Sequence, residues 1–131
     1  MFEGSFSKED RRKLFELIYK LSICDGESTG EEQELIRDYA AKFSIEEIPD
    51  TDSLEGLAAY FASKDLHLRR MVLFEVCGLI LADRNVGENE QRAFDYIKSE
   101  LSLGNTVTED IVSAANDFKI IKDKIYDIVY V

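Results

Sequence analysis

The sequence is short of several residue types, and each shortage excludes a class of protein. It has two cysteines, Cys24 and Cys77, which are too few and too far apart for a disulfide framework. His67 is the only histidine, so the ligand sets of zinc and di-iron sites are missing. The 16 basic residues face 27 acidic ones, and the resulting net charge of −11 disfavours binding to nucleic acid or to an anionic membrane.

Long hydrophobic runs are also absent. The longest apolar run, Met71 to Ala82, is interrupted by Glu75 and is too short to span a bilayer. The first residues lack the basic-then-apolar order of a signal peptide. Because 131 residues with 45% hydrophobic content suffice for one core, we expect a single cytoplasmic domain, residues 1–131, without membrane insertion.

The spacing of apolar residues predicts an all-α fold of about six to seven helices. No stretch shows the sustained alternation of strands, and proline, which interrupts helices, occurs only at Pro49. Helix starts are predicted near the following residues: Ser7, Glu31, Asp52, Asp65, Glu88 and Thr108. The helix that follows Asp65 is apolar on nearly all sides from Met71 to Ala82, so we expect it to be the most buried element.

The C-terminal segment, residues 108–131, repeats apolar residues in steps of three and four. The series is Ile111, Ala114, Phe118, Ile121, Ile125 and Ile128. This period is typical of a coiled-coil seam, formed by one long helix or by two short ones. We expect the segment to pack on the core or to form a homodimer.

Two parts of the chain align without a gap when the sequence is shifted by 58 residues. Residues 14–45 then fall on residues 72–103, and apolar positions match apolar positions along both helices of each part. We therefore predict that the bundle is built on two pseudo-symmetric helix-loop-helix repeats around one core.

Each repeat places an aspartate at the end of one helix and a glutamate seven residues later, in the first turn of the next helix. The pairs are Asp25 with Glu32 and Asp83 with Glu90. Helix capping is one explanation of the glutamates, whereas an aspartate at a helix C-terminus meets the negative end of the dipole. A loop N–H, a basic side chain or a cation could compensate that aspartate, and four carboxylates suit Ca²⁺, Mg²⁺ or Mn²⁺.

Both corners resemble a known family. Residues Cys24 to Glu32 and Leu81 to Glu90 follow apolar helices and are similar to the A-D-G-x-x-x-x-x-E signature of the TerB-like, tellurite-resistance-associated family. The resemblance covers about residues 10–103 and implies an all-helical domain that binds a divalent cation in a stress or signalling response. The implied ligands are Asp25, Glu32, Asp83 and Glu90, with Glu27 and Glu31 as weaker additions. At Arg84 the sequence departs from the family, which usually has glycine there.

Enzyme chemistry finds little support in the sequence. There is no glycine-rich phosphate loop with a lysine, and the paired carboxylates lack a nucleophile for hydrolysis. The carboxylate of Asp25 makes Cys24 a poor nucleophile. Glu75 is expected to face solvent or to pair with an arginine such as Arg69, Arg70 or Arg12. Two hypotheses remain: a non-enzymatic module that binds a divalent cation, or an acidic protein-interaction module whose protein partner is basic or is a second copy of the chain.

Overall fold

The chain folds into a bundle of α-helices. The computed structural model describes residues 2–24, 30–47, 52–82 and 87–130, without the side chains of Glu3, Glu31, Glu32 and Ala82. This part of the chain contains no strand, and its elements are a 3-10 turn (Glu3–Ser5), α1 (Lys8–Ile23), α2 (Gly30–Phe43), α3 (Leu54–Ala62), α4 (Leu66–Ala82), α5 (Glu88–Leu101) and α6 (Asn105–Val129). The predicted all-α class is confirmed, and no helix within these residues is long and apolar enough to cross a membrane.

Short polar side chains fix the starts of α1 and α4. Ser7 precedes α1 in an extended conformation, and its Oγ accepts a hydrogen bond from the N–H of Asp10 at 3.1 Å. Asp65 plays the same part before α4, because its Oδ1 accepts from the N–H of Leu68 at 2.8 Å. The starts predicted at Ser7 and Asp65 are therefore confirmed.

The fourth helix lies at the centre of the bundle, as its apolar sequence predicts. It packs against all five other α-helices, and the side chains of Val72, Leu73, Val76 and Leu79 are fully buried. Cys77 is 1% exposed in the same core, and burial raises the pKa of its thiol to about 12. Cys77 is therefore a packing residue with an unreactive thiol.

Helices α2 and α5 both end at a serine with a left-handed backbone. Ser44 has a φ of 57° and Ser102 has a φ of 52°, a region that residues other than glycine seldom adopt. The N–H of Ile45 donates to the carbonyl of Ala40 at 2.9 Å, which closes the last turn of α2 as in a Schellman motif. At the end of α5 the N–H of Ser102 donates to the carbonyl of Ser99 at 3.2 Å. Both helices stop abruptly because the left-handed residue turns the chain away from the helix axis.

The last helix, α6, is one continuous helix of 25 residues. At 1.5 Å per residue it is about 37 Å long. It starts at Asn105, three residues before the predicted start, and Ala115 in its first half is buried against α4. Every residue from 120 to 130 is exposed. The alternative of two short helices is thereby excluded, and the two halves of this one helix have different surroundings.

Candidate functional site

The predicted acidic cluster falls mostly outside the residues that the structure describes. Asp25, Glu27 and Asp83 lie outside the described ranges, and only the backbone of Glu31 and Glu32 is described. Within the described ranges, no three side chains of the kinds that ligate metals come together.

Glu90 is the one predicted ligand whose side chain the structure describes. It is the third residue of α5 and is 4% exposed. Gly87, the residue before α5, supplies no side-chain cap, so a reciprocal capping box does not form here. A buried carboxylate requires hydrogen bonds or a positive partner, so the burial of Glu90 marks this corner as a polar site inside the bundle. Arg84, where the sequence departs from the family pattern, lies outside the described residues.

Glu75, at the middle of α4, corrects an expectation from the sequence. Its side chain is 4% exposed, so the expectation that it faces solvent is wrong, whereas pairing with an arginine stays a prediction. Its Oε1 accepts a hydrogen bond from the backbone N–H of Phe2 at 3.3 Å, and its Oε2 accepts one from the hydroxyl of Tyr39 on α2. The sequence pattern did not reveal this pair, because its two members are 36 residues apart and no motif joins them.

A second buried carboxylate, Asp10, joins α1 to the end of α3. The hydroxyl of Tyr60 donates to Asp10 Oδ1 at 2.5 Å, and the ammonium of Lys64 lies 3.3 Å from the same oxygen. Burial alone would raise the pKa of Asp10, but the hydrogen bonds from Tyr60 and Lys64 outweigh it and hold this pKa below its ordinary value of 3.8. Burial and the neighbouring carboxylate raise the pKa of Tyr60. Asp10, Tyr60 and Lys64 therefore form a hydrogen-bonded, charged cluster between α1 and the end of α3, which we name the Asp10 cluster.

Glu16 is a third buried carboxylate, 1% exposed, and like Asp10 it lies on α1. Its Oε1 accepts from the backbone N–H of Asp52 at 3.0 Å, and the carboxylate of Asp52 forms an ion pair with Lys13. Both buried acids of α1 are therefore occupied in holding α3 and the segment before it.

A groove of about 420 Å³ lies between α2, α4 and α6. The hydrogen-bonded pair of Tyr39 and Glu75 contributes to its lining, and apolar surface comes from Phe74 and Phe118, whose ring centroids are 5.9 Å apart. Three lysines, Lys42, Lys119 and Lys122, also line it. A groove of this size is within the range of binding sites, and it lies where α6 leaves the cover of the bundle.

Beyond this groove the apolar surface of α6 continues without cover from the described part of the chain. The α6 apolar face, as we name it, consists of Phe118, Ile121, Ile125, Tyr126, Ile128, Val129 and Tyr130, which are 42% to 72% exposed. With 3.6 residues per turn, these side chains fall within about 200° of the helix circumference, in the sector that contains Ala115 and also Lys119 and Lys122. Ile120, which is 58% exposed, lies on the opposite side of the helix.

The charges within and around the α6 apolar face balance. Residues 117–127 contain three lysines and three aspartates: Asp117, Lys119, Lys122, Asp123, Lys124 and Asp127. Lys119 and Asp123 form an ion pair at 2.8 Å along the helix. The face therefore belongs to a locally neutral stretch of a chain whose net charge is −11, so repulsion at the face itself does not keep another protein away.

These features define an all-helical bundle with one partly uncovered helix. A comparison with known protein families, with curated proteins and with solved structures finds no match to this chain. The TerB-like resemblance and the ligands that it implies therefore stay predictions.

Proposed function

We propose that this protein is a non-enzymatic interaction module whose binding surface is the α6 apolar face. The observation that carries this proposal is the change of surroundings along α6, from a half packed on α4 to a half exposed at every position from 120 to 130. Monomeric proteins rarely leave a large contiguous apolar patch open to water. A protein partner that covers the face accounts for its composition.

The size of the face supports this proposal. Its seven side chains are 42% to 72% exposed, and at roughly 150–200 Å² for a large side chain they leave on the order of 700 Å² open. The largest apolar patch of an ordinary monomer covers about 300–600 Å², whereas a specific interface takes about 800 Å² from each partner. Because the surrounding charges balance, apolar contact rather than charge attraction holds the partner.

Photo-cross-linking in cells tests the proposal. A photoreactive phenylalanine analogue placed at Ile125 lies on the α6 apolar face, and the same analogue placed at Ile120 is a matched control on the other side of the helix. Both positions are exposed to a similar extent, at 56% and 58%. We expect cross-linked protein adducts from position 125 and few from position 120, with mass spectrometry identifying the captured chain. Equal capture at the two positions, or none, would overturn the proposal.

As a second candidate function we propose a divalent-cation site at the corner before α5 and at its counterpart before α2. The buried carboxylate of Glu90, in a first turn without a side-chain cap, favours it. Oxygen ligands alone suit a hard ion such as Ca²⁺, Mg²⁺ or Mn²⁺. In this proposal the ligands are Asp25, Glu32, Asp83 and Glu90, and the TerB-like resemblance supplies the stress-response or signalling context.

The equivalence of the two corners is supported by the helix bounds. With a shift of 58 residues, the first residue of α1, Lys8, falls on the first residue of α4, Leu66. The first and last residues of α2, Gly30 and Phe43, fall on the first and last residues of α5, Glu88 and Leu101. The left-handed serines Ser44 and Ser102 are also 58 residues apart. We infer from these matches that the two units are pseudo-symmetric repeats.

The same offset relates hydrogen bonds at the helix starts. Arg11 Nε donates to the carbonyl of Phe6 at 3.1 Å, and Arg69 Nε donates to the carbonyl of Lys64 at 3.0 Å. The capping bonds of Ser7 and Asp65 repeat at the same offset. Because amphipathic helices alone do not impose these side-chain contacts, the matches favour a duplicated unit over a chance alignment.

Calorimetric titration tests the cation site. Wild type is titrated with Ca²⁺, Mg²⁺ and Mn²⁺ and compared with Asp83→Asn and Asp25→Asn, which remove a charged ligand from each corner. We expect saturable binding by wild type and weaker binding by either variant. Asp127→Asn, on the exposed half of α6, is the control that removes an equal charge elsewhere. An absence of saturable binding at millimolar ion would overturn this second candidate.

A further inference from the structure

We propose that the α6 apolar face binds a second copy of this chain, in a parallel two-stranded coiled coil. The inference rests on the proposed function, because it names the partner of the same surface. It uses a narrower set of residues, which we name the α6 seam: Ala114, Phe118, Ile121, Ile125 and Ile128.

The α6 seam has the period of a coiled coil. Its members follow one another in alternating steps of four and three residues, so they take the a and d positions of successive heptads. Ala114 is exposed, and the exposed fraction rises from 42% at Phe118 to 71% at Ile128. The seam is therefore most open from Ile121 to Ile128, whereas Phe118 also contacts Phe74 of α4.

The position of α4 leaves room for one partner helix. Helix α4 packs on the first half of α6 beside Ala115, and its Phe74 contacts Phe118 of the seam, so α4 covers one flank of the seam at that end. On the seam side, a groove of about 350 Å³ is lined by Met71 and Phe74 of α4 and by Ile111 and Ala114 of α6. This apolar groove continues the seam toward the start of the helix. Because α4 occupies the neighbouring side, we expect a pair rather than a larger bundle.

The charges beside the seam select the parallel orientation. Asp117 takes a g position and Lys122 takes an e position, on opposite flanks of the seam. In a parallel coiled coil a g residue meets the e residue five positions later on the other chain, so Asp117 of each copy meets Lys122 of the other. An antiparallel pair that matches Phe118 with Ile128 would instead place Lys122 beside Lys122 of the second copy.

The area predicts a dimer of moderate affinity. The seam residues and Val129 beside them would bury, in both copies together, on the order of 1,000 Å² of apolar surface, which is at the lower limit for a specific interface. We therefore expect a dissociation constant in the micromolar range, with monomers at high dilution.

Sedimentation equilibrium over a range of protein concentrations tests the dimer. Wild type should approach twice the chain mass of 15.0 kDa at about 100 µM, because association follows protomer concentration. Ile121→Asp places a charge in the seam and should raise the dissociation constant about 100-fold or more. Ile120→Asp makes the same substitution at the adjacent exposed position outside the seam and should change the constant less than about threefold. Circular dichroism checks that both variants keep their helices.

A charge exchange tests the orientation. Asp117→Lys and Lys122→Asp should each weaken the dimer about tenfold, because each puts like charges together across the seam. The double variant restores the pair with reversed signs and should return to within about threefold of wild type. In addition, Ile128→Cys should form an intermolecular disulfide under mild oxidation, whereas Ile120→Cys should not.

Each outcome decides the proposal. A wild type that stays monomeric at about 100 µM, or that sediments as three or more chains, overturns the dimer. Equal losses from Ile121→Asp and Ile120→Asp overturn the seam. Failure of the charge exchange to recover affinity overturns the parallel orientation. Capture of a different protein by the cross-linker at Ile125, together with a monomeric wild type, would overturn this inference and leave the interaction module standing.

Discussion

The two halves of α6 share one sequence period and have different surroundings. In the first half Ala115 is 4% exposed against α4, whereas in the second half every residue from 120 to 130 is exposed. Apolar residues recur in steps of three and four through both halves. The period of a helix therefore indicates which side is to be buried, but it does not indicate what buries it.

The difference has a consequence for stability. A helical segment of about ten residues without tertiary contacts is marginal in water, because its backbone hydrogen bonds barely offset the lost chain entropy. The second half of α6 is helical as the continuation of a first half that α4 holds in place. We expect the covered half to determine the stability of the bundle and the uncovered half to respond to a partner.

The largest effect is expected from placing a charge in the covered half. Ala115→Glu puts a carboxylate between α4 and α6 and should lower the free energy of unfolding by about 3 kcal/mol or more. Val129→Glu makes a similar change two heptads later, at a position that is 62% exposed, and should change stability by less than about 0.5 kcal/mol. Urea unfolding at low protein concentration measures both. Equal losses would contradict the division of α6 into two halves.

A smaller difference in stability is expected between substitutions of two tyrosines. Tyr39 lines the groove beside the covered half of α6, and Tyr126 lies on the uncovered half. Tyr39→Phe removes the hydroxyl that donates to the buried Glu75 and should destabilise the protein by about 1–3 kcal/mol, since a buried carboxylate loses a hydrogen bond. Tyr126, at 63% exposed, gives the matched control Tyr126→Phe, which should have little effect. Thermal unfolding of the two variants side by side checks the contrast. A neutral Tyr39→Phe would show that the Glu75 pair does not stabilise the core.

The Asp10 cluster between α1 and α3 should make the stability of the protein depend on pH. Because the pKa of Asp10 is lowered in the folded state, the unfolded chain binds this proton more readily. The stabilisation is present above the ordinary value of 3.8 and is lost as the pH falls through the lower folded pKa. Asp10→Asn should therefore be less stable than wild type at pH 7, by about 1–2 kcal/mol, and the gap should close in acid.

Denaturant unfolding from pH 7 down to strongly acidic pH measures this gap. Asp127→Asn, which changes an exposed aspartate on the uncovered half of α6, is the control and should follow wild type throughout. A gap between Asp10→Asn and wild type that stays constant at all pH values would contradict the linkage.

The smallest effect is expected at the boundary of the two halves. Lys119→Ala removes the ion pair with Asp123, whose side chain is 59% exposed. Exposed pairs at this spacing contribute about 0.3–0.5 kcal/mol, so the change in the free energy of unfolding should not exceed that. Added salt should weaken the pair in wild type, so the difference in the free energy of unfolding between wild type and the variant should shrink. A larger loss would mean that Lys119 contributes to the groove beside α4 in another way.

Much of the fold followed from local chemistry in the sequence. The capping residues Ser7 and Asp65 predicted the starts of α1 and α4, because a short polar side chain before an apolar period acts within three residues. The apolar character of the stretch from Met71 to Ala82 predicted the central helix for a similar reason. These signals are short in range, because each of them lies entirely within a few neighbouring residues of the sequence.

The buried acids show where such prediction stops. Glu75 meets Tyr39 from another helix, and Glu16 holds the backbone of Asp52, 36 residues away in each case. A carboxylate in an amphipathic helix has the same local pattern whether it meets water or a hydroxyl from a distant helix. The α6 seam was predicted from its period, but its exposure depends on where α4 lies, which the period does not contain.

The buried thiol of Cys77 has a practical consequence for experiments on this chain. Burial raises the pKa of Cys77 to about 12, so very little thiolate is present at pH 7 and alkylating reagents should react with it only slowly. Cys24, which is half-buried at the end of α1, is the more accessible of the two thiols, so a maleimide dye or spin label should modify it in preference to Cys77, although slowly because Asp25 makes it a poor nucleophile. One probe could therefore be attached without mutagenesis, directly beside the first of the two corners where a cation is proposed to bind.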